Sequence, residues 1–340
     1  MELIIYFILI SFSFFYLSNF VKKAKVLLDK KNTSAHKRTV SKDNVSVIGG
    51  FLILFGILIL EINLYYKIFI SFFFLVGLIF EYKFKIKTYY RFIFQFIIIL
   101  LLLKFFNLQI NETRILLLDN FLNNNLFNIF FTSFCLLILI NGSNFIDGIN
   151  LNSSGYFLSI YISIYLLLND LNLFIDLYFL KFFILTLISF CILNFLNKIY
   201  LGDGGIYALS LLTGIFMIEL SNSNLLVSPF LIVLFLWYPA FENLFSIIRK
   251  LEIKRSPLKP DNKHLHHLIF FYFKRKINSS QKLIFLNLPG IVINVYNLSV
   301  FLIGAKFYNN SQFLILLILM NIFVYLIVYF KIINNLKISK

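Results

Sequence analysis

The chain has 340 residues, 60% of them hydrophobic and 14% charged, with a net charge of +16 and a mean hydropathy of +0.88. A water-soluble domain of this size is roughly a quarter charged, so a secreted, nuclear or cytosolic soluble protein is excluded. Two cysteines, Cys135 and Cys191, sit inside apolar runs, which excludes a disulfide framework and a Cys-type zinc site.

A membrane span needs roughly 20 apolar residues. In chain order the runs fall near 3–20, 47–62, 67–80, 92–107, 126–141, 155–169, 177–196, 205–220, 225–244, 283–304 and 312–331. They predict an all-α, polytopic membrane bundle of about 10–11 transmembrane helices. The first run is read as a retained span rather than a cleavable signal, because Met1-Glu2 leads straight into it and the basic residues follow it. Phe is abundant at 45 residues alongside Ile, Asn, Lys and Tyr. All of these have A/T-rich codons, so the Phe stripes need no functional explanation.

Lys and Arg set the orientation. Loop 21–43 carries eight, 81–91 four, 195–204 one, 244–282 ten, and the tail after 330 three, which is 26 of the 31 basic residues on alternate loops. These loops are predicted to be cytoplasmic, with the amino terminus outside and the carboxyl terminus inside. The Asn-rich segment 107–125 falls on the opposite side. No internal repeat or long linker interrupts the chain, so residues 1–340 are read as one integral membrane domain.

Four polar constellations fall on the cytoplasmic side, where an intramembrane bundle meets water and soluble substrates. The first, Glu81-Tyr82-Lys83-Phe84-Lys85-Ile86-Lys87, reads by itself as a basic membrane-flanking loop. In the second, Asn141-Gly142-Ser143-Asn144-Phe145-Ile146-Asp147-Gly148, the residues Asn141, Asn144 and Asp147 step by three. Continued helix would align them on one face, either toward ligand or in an interhelical network. The third, Leu201-Gly202-Asp203-Gly204-Gly205, places a carboxylate among glycines at a helix start. Such a turn suits Mg²⁺ with phosphate, and a helix N-cap explains it equally well. The fourth lies in the longest loop, where Ser256-Pro257-Leu258-Lys259-Pro260-Asp261-Asn262-Lys263-His264-Leu265-His266-His267 holds three of the four His. Imidazoles among Arg249, Lys250, Lys254, Arg255, Lys259 and Lys263 form a receptor for pyrophosphate. A transition-metal site built on His264 and His267 is the competing reading, with Asp261 as its near carboxylate.

Taken in order, these motifs resemble the polyprenyl-phosphate N-acetylhexosamine-1-phosphate transferase family, glycosyltransferase family 4, over about residues 20–270. The strongest stretch runs from Trp237 to Ile269. There Pro239-Ala240-Phe241-Glu242 resembles a Pro-x-x-Asp motif, and Arg249 precedes Ser-Pro-x-x-Pro-Asp-x-x-His-Leu-His-His. That spacing is similar to the branch that initiates O-antigen and teichoic-acid lipid carriers. His36 and Gly49-Gly50 resemble the first cytoplasmic loop of the family. Three departures stand out: the family's Asp-Asp-x-x-Asp is Glu81-Tyr82-x-x-Lys85 here, x-Asp-Gly-Leu after Asp147-Gly148 is Ile149-Asn150-Leu151-Asn152, and the Ser and Gly after Asp203 are Ile206 and Ser210.

The resemblance implies transfer of N-acetylhexosamine-1-phosphate from a UDP-N-acetylhexosamine to a membrane polyprenyl phosphate, undecaprenyl phosphate in a bacterial cytoplasmic (inner) membrane. It implies Glu81, Asp147 and Asp203 as catalytic residues and Asn141, Asn144, Arg249, Lys263, His264, His266 and His267 as substrate-binding residues. The implied metal is Mg²⁺, with Mn²⁺ as a substitute, on Asp203 and Glu81. The partners are the lipid phosphate and the UDP-sugar, with no nucleic acid and with homo-oligomers allowed. The competing class is a degenerate, non-catalytic paralogue that binds lipid phosphate or sugar nucleotide, favoured by Glu81-Tyr82 and Lys85. Transport would require ionisable residues at mid-span and paired broken helices; the ionisable residues instead lie mostly in loops, Lys181 excepted.

Overall fold

The computed structural model describes residues 1–25, 27–28, 45–82, 87–171, 177–257, 262–276 and 282–336. His36, Lys85, Lys259 and Asp261 therefore lie outside the described residues. Thirteen helices follow in order: α1 (Glu2–Ala24), α2 (Gly49–Ile59), α3 (Leu64–Tyr82), α4 (Thr88–Phe106), α5 (Leu116–Leu122), α6 (Asn125–Ile146), α7 (Asn152–Asp170), α8 (Leu177–Phe195), α9 (Gly202–Ser223), α10 (Pro229–Glu252), α11 (Leu265–Lys276), α12 (Lys282–Lys306) and α13 (Ser311–Leu336). Among the described residues there is no strand, only two isolated bridges, Leu28 with Ser46 and Ser46 with Ile199.

The chain is a polytopic membrane helix bundle. Each of the eleven predicted spans falls on a helix, and the two extra helices, α5 and α11, lie at opposite ends of the bundle. Eight helices are long and apolar enough to cross a membrane. α2, with eleven residues, spans only about 16 Å at 1.5 Å per residue, half of a hydrocarbon core. It is sheltered instead: Leu52, Ile53 and Ile57 are fully buried because α2 packs on α8 and α9. Successive helices alternate in direction, so the connections separate into two groups.

The far group is tied by polar contacts. Arg114 donates to Leu225 O at 2.7 Å and Ser311 Oγ at 3.0 Å, and Asn222 Nδ2 donates to Gln109 O at 2.7 Å. The near group lies at the carboxyl-terminal ends of α1, α3, α6, α8 and α10. Tyr200 N donates to Ser46 O at 2.7 Å, and Asn287 Nδ2 of α12 donates to Phe195 O at 2.9 Å.

α9 is the axis of the bundle, packed against α2, α3 and α6. Its amino-terminal turn is reached by close backbone approach: a Cβ on Gly77 of α3 would lie 2.6 Å from Gly204 Cα. α10 brings another constraint. Pro239 lies inside this helix, and proline has no N–H to satisfy the carbonyl four residues back, that of Phe235. Tyr156 Oη of α7, fully buried, donates to Phe235 O at 2.6 Å. Pro239 O also lies against Gly142 of α6, where a Cβ would collide with it. Sequence thus fixes where the α10 hydrogen-bond ladder opens, and two neighbours close on that point.

Candidate active site

The near end begins with two carboxylates. Asp203 sits in the first turn of α9, where the helix dipole favours negative charge. Gly202 before it has φ +73°, and a side chain there would strike Val47 and lie 2.7 Å from Glu81 Oε2. Glu81, in the last turn of α3, accepts the Asp203 N–H on Oε2 at 3.1 Å. The Arg91 guanidinium of α4 stands 3.8 Å from Asp203 Oδ2, each side chain partly open to solvent. Arg91 is itself anchored, donating to Phe80 O at 2.9 Å and lying over the Phe80 ring. Two carboxylates and one cation thus meet at the mouth of the α3–α4–α9 cluster, and Tyr207, one turn into α9, is buried within their field beside Gln95.

The Asn-rich motif divides. α6 ends at Ile146 and Asp147 is its C-cap. Asn141 belongs to helix packing: its Nδ2 donates to Gln95 Oε1 at 3.1 Å and to Leu137 O at 2.9 Å. Asn144 is half-buried in the last turn and its carbonyl accepts the Asp147 N–H. Asp147 accepts from Ser153 Oγ and lines a cleft with Gly148, Asn150, Ser153, Asn194 and Tyr200. The interhelical reading therefore describes Asn141, while Asp147 lines the cleft and Asn144 is half-buried one turn before it.

The turn between α6 and α7 is held under strain. Leu151 has φ +63°, a left-handed conformation that costs a residue with Cβ about 1–2 kcal/mol. Two amides hold it there: Leu151 N donates to Asn194 Oδ1 at 2.7 Å, and Asn294 Nδ2 of α12 donates to Leu151 O at 2.7 Å.

The imidazoles abut this turn from the other side. His264, His266 and His267 are buried and form one stack, with ring centroids 5.6 Å apart for His264 and His266 and 4.2 Å for His266 and His267. Their edge lies on Gly148, where a Cβ would come 2.5 Å from His266 Nε2. α11 starts at Leu265, so His264 precedes the helix. Arg249 donates to Lys263 O, to Tyr329 Oη at 2.6 Å and to Ser246 Oγ at 3.4 Å. It grips the backbone that carries His264, while half-buried Lys263 contributes its carbonyl. Lys250 likewise donates to Pro257 O at 3.0 Å.

Asp261, the near carboxylate by sequence distance, lies outside the described residues. Among the described residues a carboxylate on His264 belongs to Glu242, 22 residues away on α10. His264 Nδ1 and Glu242 Oε1 are 2.9 Å apart, and Glu242 is fully buried. Sequence distance alone does not point to this partner. The signal was present in Pro239-x-x-Glu242, since a carboxylate three residues beyond a proline, deep in an apolar helix, needs partners.

Residues 63–221 match the model of Glycosyl transferase family 4. The chain is 30% identical over 135 residues to the undecaprenyl-phosphate alpha-N-acetylglucosaminyl 1-phosphate transferase of Thermotoga maritima, covering 38% of this chain and 42% of that protein. It is 35% identical over 82 residues to the decaprenyl-phosphate N-acetylglucosaminephosphotransferase of Mycolicibacterium smegmatis, covering 21% of this chain and 20% of that protein. The aligned segments thus span less than half the length of either relative.

Proposed function

We propose that this chain, a member of the polyprenyl-phosphate N-acetylhexosamine-1-phosphate transferase family, moves N-acetylhexosamine-1-phosphate from a UDP-sugar to a polyprenyl phosphate. One observation carries the reading. Two segments line one small cleft, and each carries one of the two groups: the imidazoles lie on Gly148, and the carboxylates follow the turn from Tyr200 and Leu201 into Gly202. A diphosphate bridging the two would meet imidazoles on one side and carboxylates with a guanidinium on the other.

In the proposed reaction an oxygen of the lipid phosphate attacks the phosphorus attached to the sugar. The bond from that phosphorus to the bridging oxygen breaks, and the leaving electron pair departs with UMP. The lipid phosphate has a second pKa near ~6 and is largely dianionic at neutral pH, so deprotonation is a small part of the barrier. The larger part is repulsion between two anions, which fixed cations and dipoles relieve. Arg91 faces that charge from α4, and the imidazoles can donate to phosphate oxygens. Asp147, in the cleft, and Asn144, one turn before it, line the nucleotide side.

The donor set fits a substrate-borne Mg²⁺ ion. Among the described residues no three His, Cys, Asp or Glu side chains form a metal cluster, and Mg²⁺ bound to phosphates commonly takes only one or two carboxylates from protein. Asp203 would hold it with Glu81 beside it, and Mn²⁺ would substitute. The ion supplies charge neutralisation on the transferring group.

The non-catalytic reading draws on the same cluster. Glu81 already receives the Asp203 N–H and Arg91 already faces the Asp203 carboxylate, so both acids have neighbours to give up. Membranes carrying the chain, supplied with Mg²⁺, lipid phosphate and UDP-N-acetylglucosamine or its epimer, discriminate the two. UMP release that depends on lipid phosphate supports the transferase; nucleotide binding with no UMP from either sugar supports the binding protein. The basic residues of its loops favour a cytoplasmic setting for this end, and we propose surface-polysaccharide initiation in a bacterial inner membrane as the context.

A further inference from the structure

Glu242 lies just past the middle of an apolar helix, fully buried. An isolated carboxylate there would be costly to ionise unless hydrogen-bonded. It has two partners from two other parts of the chain. Tyr325 Oη of α13 donates to Oε2 at 2.8 Å, and His264 Nδ1 lies 2.9 Å from Oε1. Tyr325 is in turn packed: it stacks on Tyr329 at 5.9 Å with rings nearly parallel, and Tyr329 accepts from the same Arg249 that holds the carbonyl before His264. Two helices, α10 and α13, therefore converge on the segment before α11 that carries this imidazole.

We infer that Glu242 is a positioning residue: its carboxylate holds the proton of His264 Nδ1 and fixes the ring, so that a second proton taken up at Nε2 makes the imidazolium a donor to the diphosphate. The inference rests on the transferase reading and adds to it the residue that orients the imidazole. An ionised carboxylate accepts and cannot donate. With Tyr325 donating to one oxygen, the other oxygen is an acceptor aimed at Nδ1. An acceptor held against one ring nitrogen fixes the tautomer, because that nitrogen must carry the proton to make the bond. His264 is stacked on His266 with a 10° angle between rings and lies beside Phe145, so the ring has little freedom to flip.

The test uses the whole chain in detergent, labelled with ¹⁵N-histidine. Only four His are present, and the signals of His264 are those lost in His264→Asn. At about pH 8.5, where an ordinary imidazole is neutral, long-range ¹H–¹⁵N spectra of the unmodified chain are expected to show the proton on Nδ1 of His264. In Glu242→Ala the proton is expected to redistribute to Nε2, and kcat for UMP release to fall by about 10²-fold, the scale of a ~1 Å misplacement of a group that holds the reacting substrate, with KM changing less. Glu242→Asp should recover part of both. A wild-type His264 with no proton on Nδ1, or an unchanged tautomer in Glu242→Ala, overturns the inference. The wild-type spectrum needs neither a variant nor turnover. If the chain releases no UMP, the transferase reading fails while the tautomer result still decides the role of Glu242.

Discussion

Gly148→Ala is the sharpest test of the proposed convergence. Gly148 does not have positive φ; among the described glycines only Gly202 does. Its backbone therefore accepts alanine, and any effect comes from the methyl group itself. That methyl would lie 2.5 Å from His266 Nε2 and 2.8 Å from two atoms of His267, where ordinary contact begins at 3.4 Å. The rings would have to withdraw by roughly 1 Å, a displacement that can cost about 10²-fold in rate when it falls on groups holding a reacting substrate. They have nowhere to go, since His266 is 0% and His267 1% exposed. Overpacking of this kind also costs about 1–3 kcal/mol of stability. The assay is initial-rate UMP release together with thermal unfolding in detergent, with Gly56→Ala as control. There the methyl would meet Thr186 Cγ2 at 2.7 Å, between α2 and α8 and away from the His stack. Gly56→Ala should lower stability and leave kcat per folded molecule intact, whereas Gly148→Ala should lower both. Equal kcat in the two variants would refute the claim that the imidazoles act against this turn.

Three further outcomes follow from the same geometry. Tyr156→Phe removes the donor to the carbonyl that Pro239 leaves open, so thermal unfolding should show a loss of about 1–3 kcal/mol with kcat per folded molecule retained; an unchanged melting temperature contradicts the open-ladder argument. Gly202→Ala meets both left-handed backbone strain of about 1–2 kcal/mol and contact with Val47 and Glu81. Its UMP release should be lost before its fold is, as judged by size-exclusion chromatography. Asp203→Asn keeps the shape but not the charge beside Arg91, so kcat should drop at least a hundredfold, about 3 kcal/mol of barrier, at every Mg²⁺ concentration tried. Near-normal turnover in that variant would remove Asp203 from the reaction.

Much of the fold was legible because a bilayer leaves few options: backbone groups must be satisfied internally, so apolar runs become helices. All eleven runs did so. What period and hydropathy could not give was depth. α2 reads as a span like its neighbours, yet it is eleven residues long and sheltered by α8 and α9. Similarly, a step of three along Asn141, Asn144 and Asp147 says they share a face. It does not say that Gln95 of α4 waits opposite the first of them. Partners across helices are fixed by packing, and packing is not written locally.

The site shows the same limit in its departures from the family pattern. At position 151 the family has Gly, which adopts left-handed backbone without penalty, and this chain has Leu at φ +63°. Read from sequence, that change counts against a working turn. The structure gives it a counterweight: Asn194 and Asn294, on two different helices, hydrogen-bond the N–H and the carbonyl of Leu151. Two such bonds contribute about 1 kcal/mol each, the size of the strain they oppose. Glu81 follows the same logic. The first carboxylate of the family's Asp-Asp motif is lengthened by one methylene here, and Glu81 uses its reach to accept the Asp203 N–H from α9. In both places a lost family residue is offset by a contact from a distant part of the chain. Counting motif matches therefore underestimates how much of the turn and of the acidic pair is preserved.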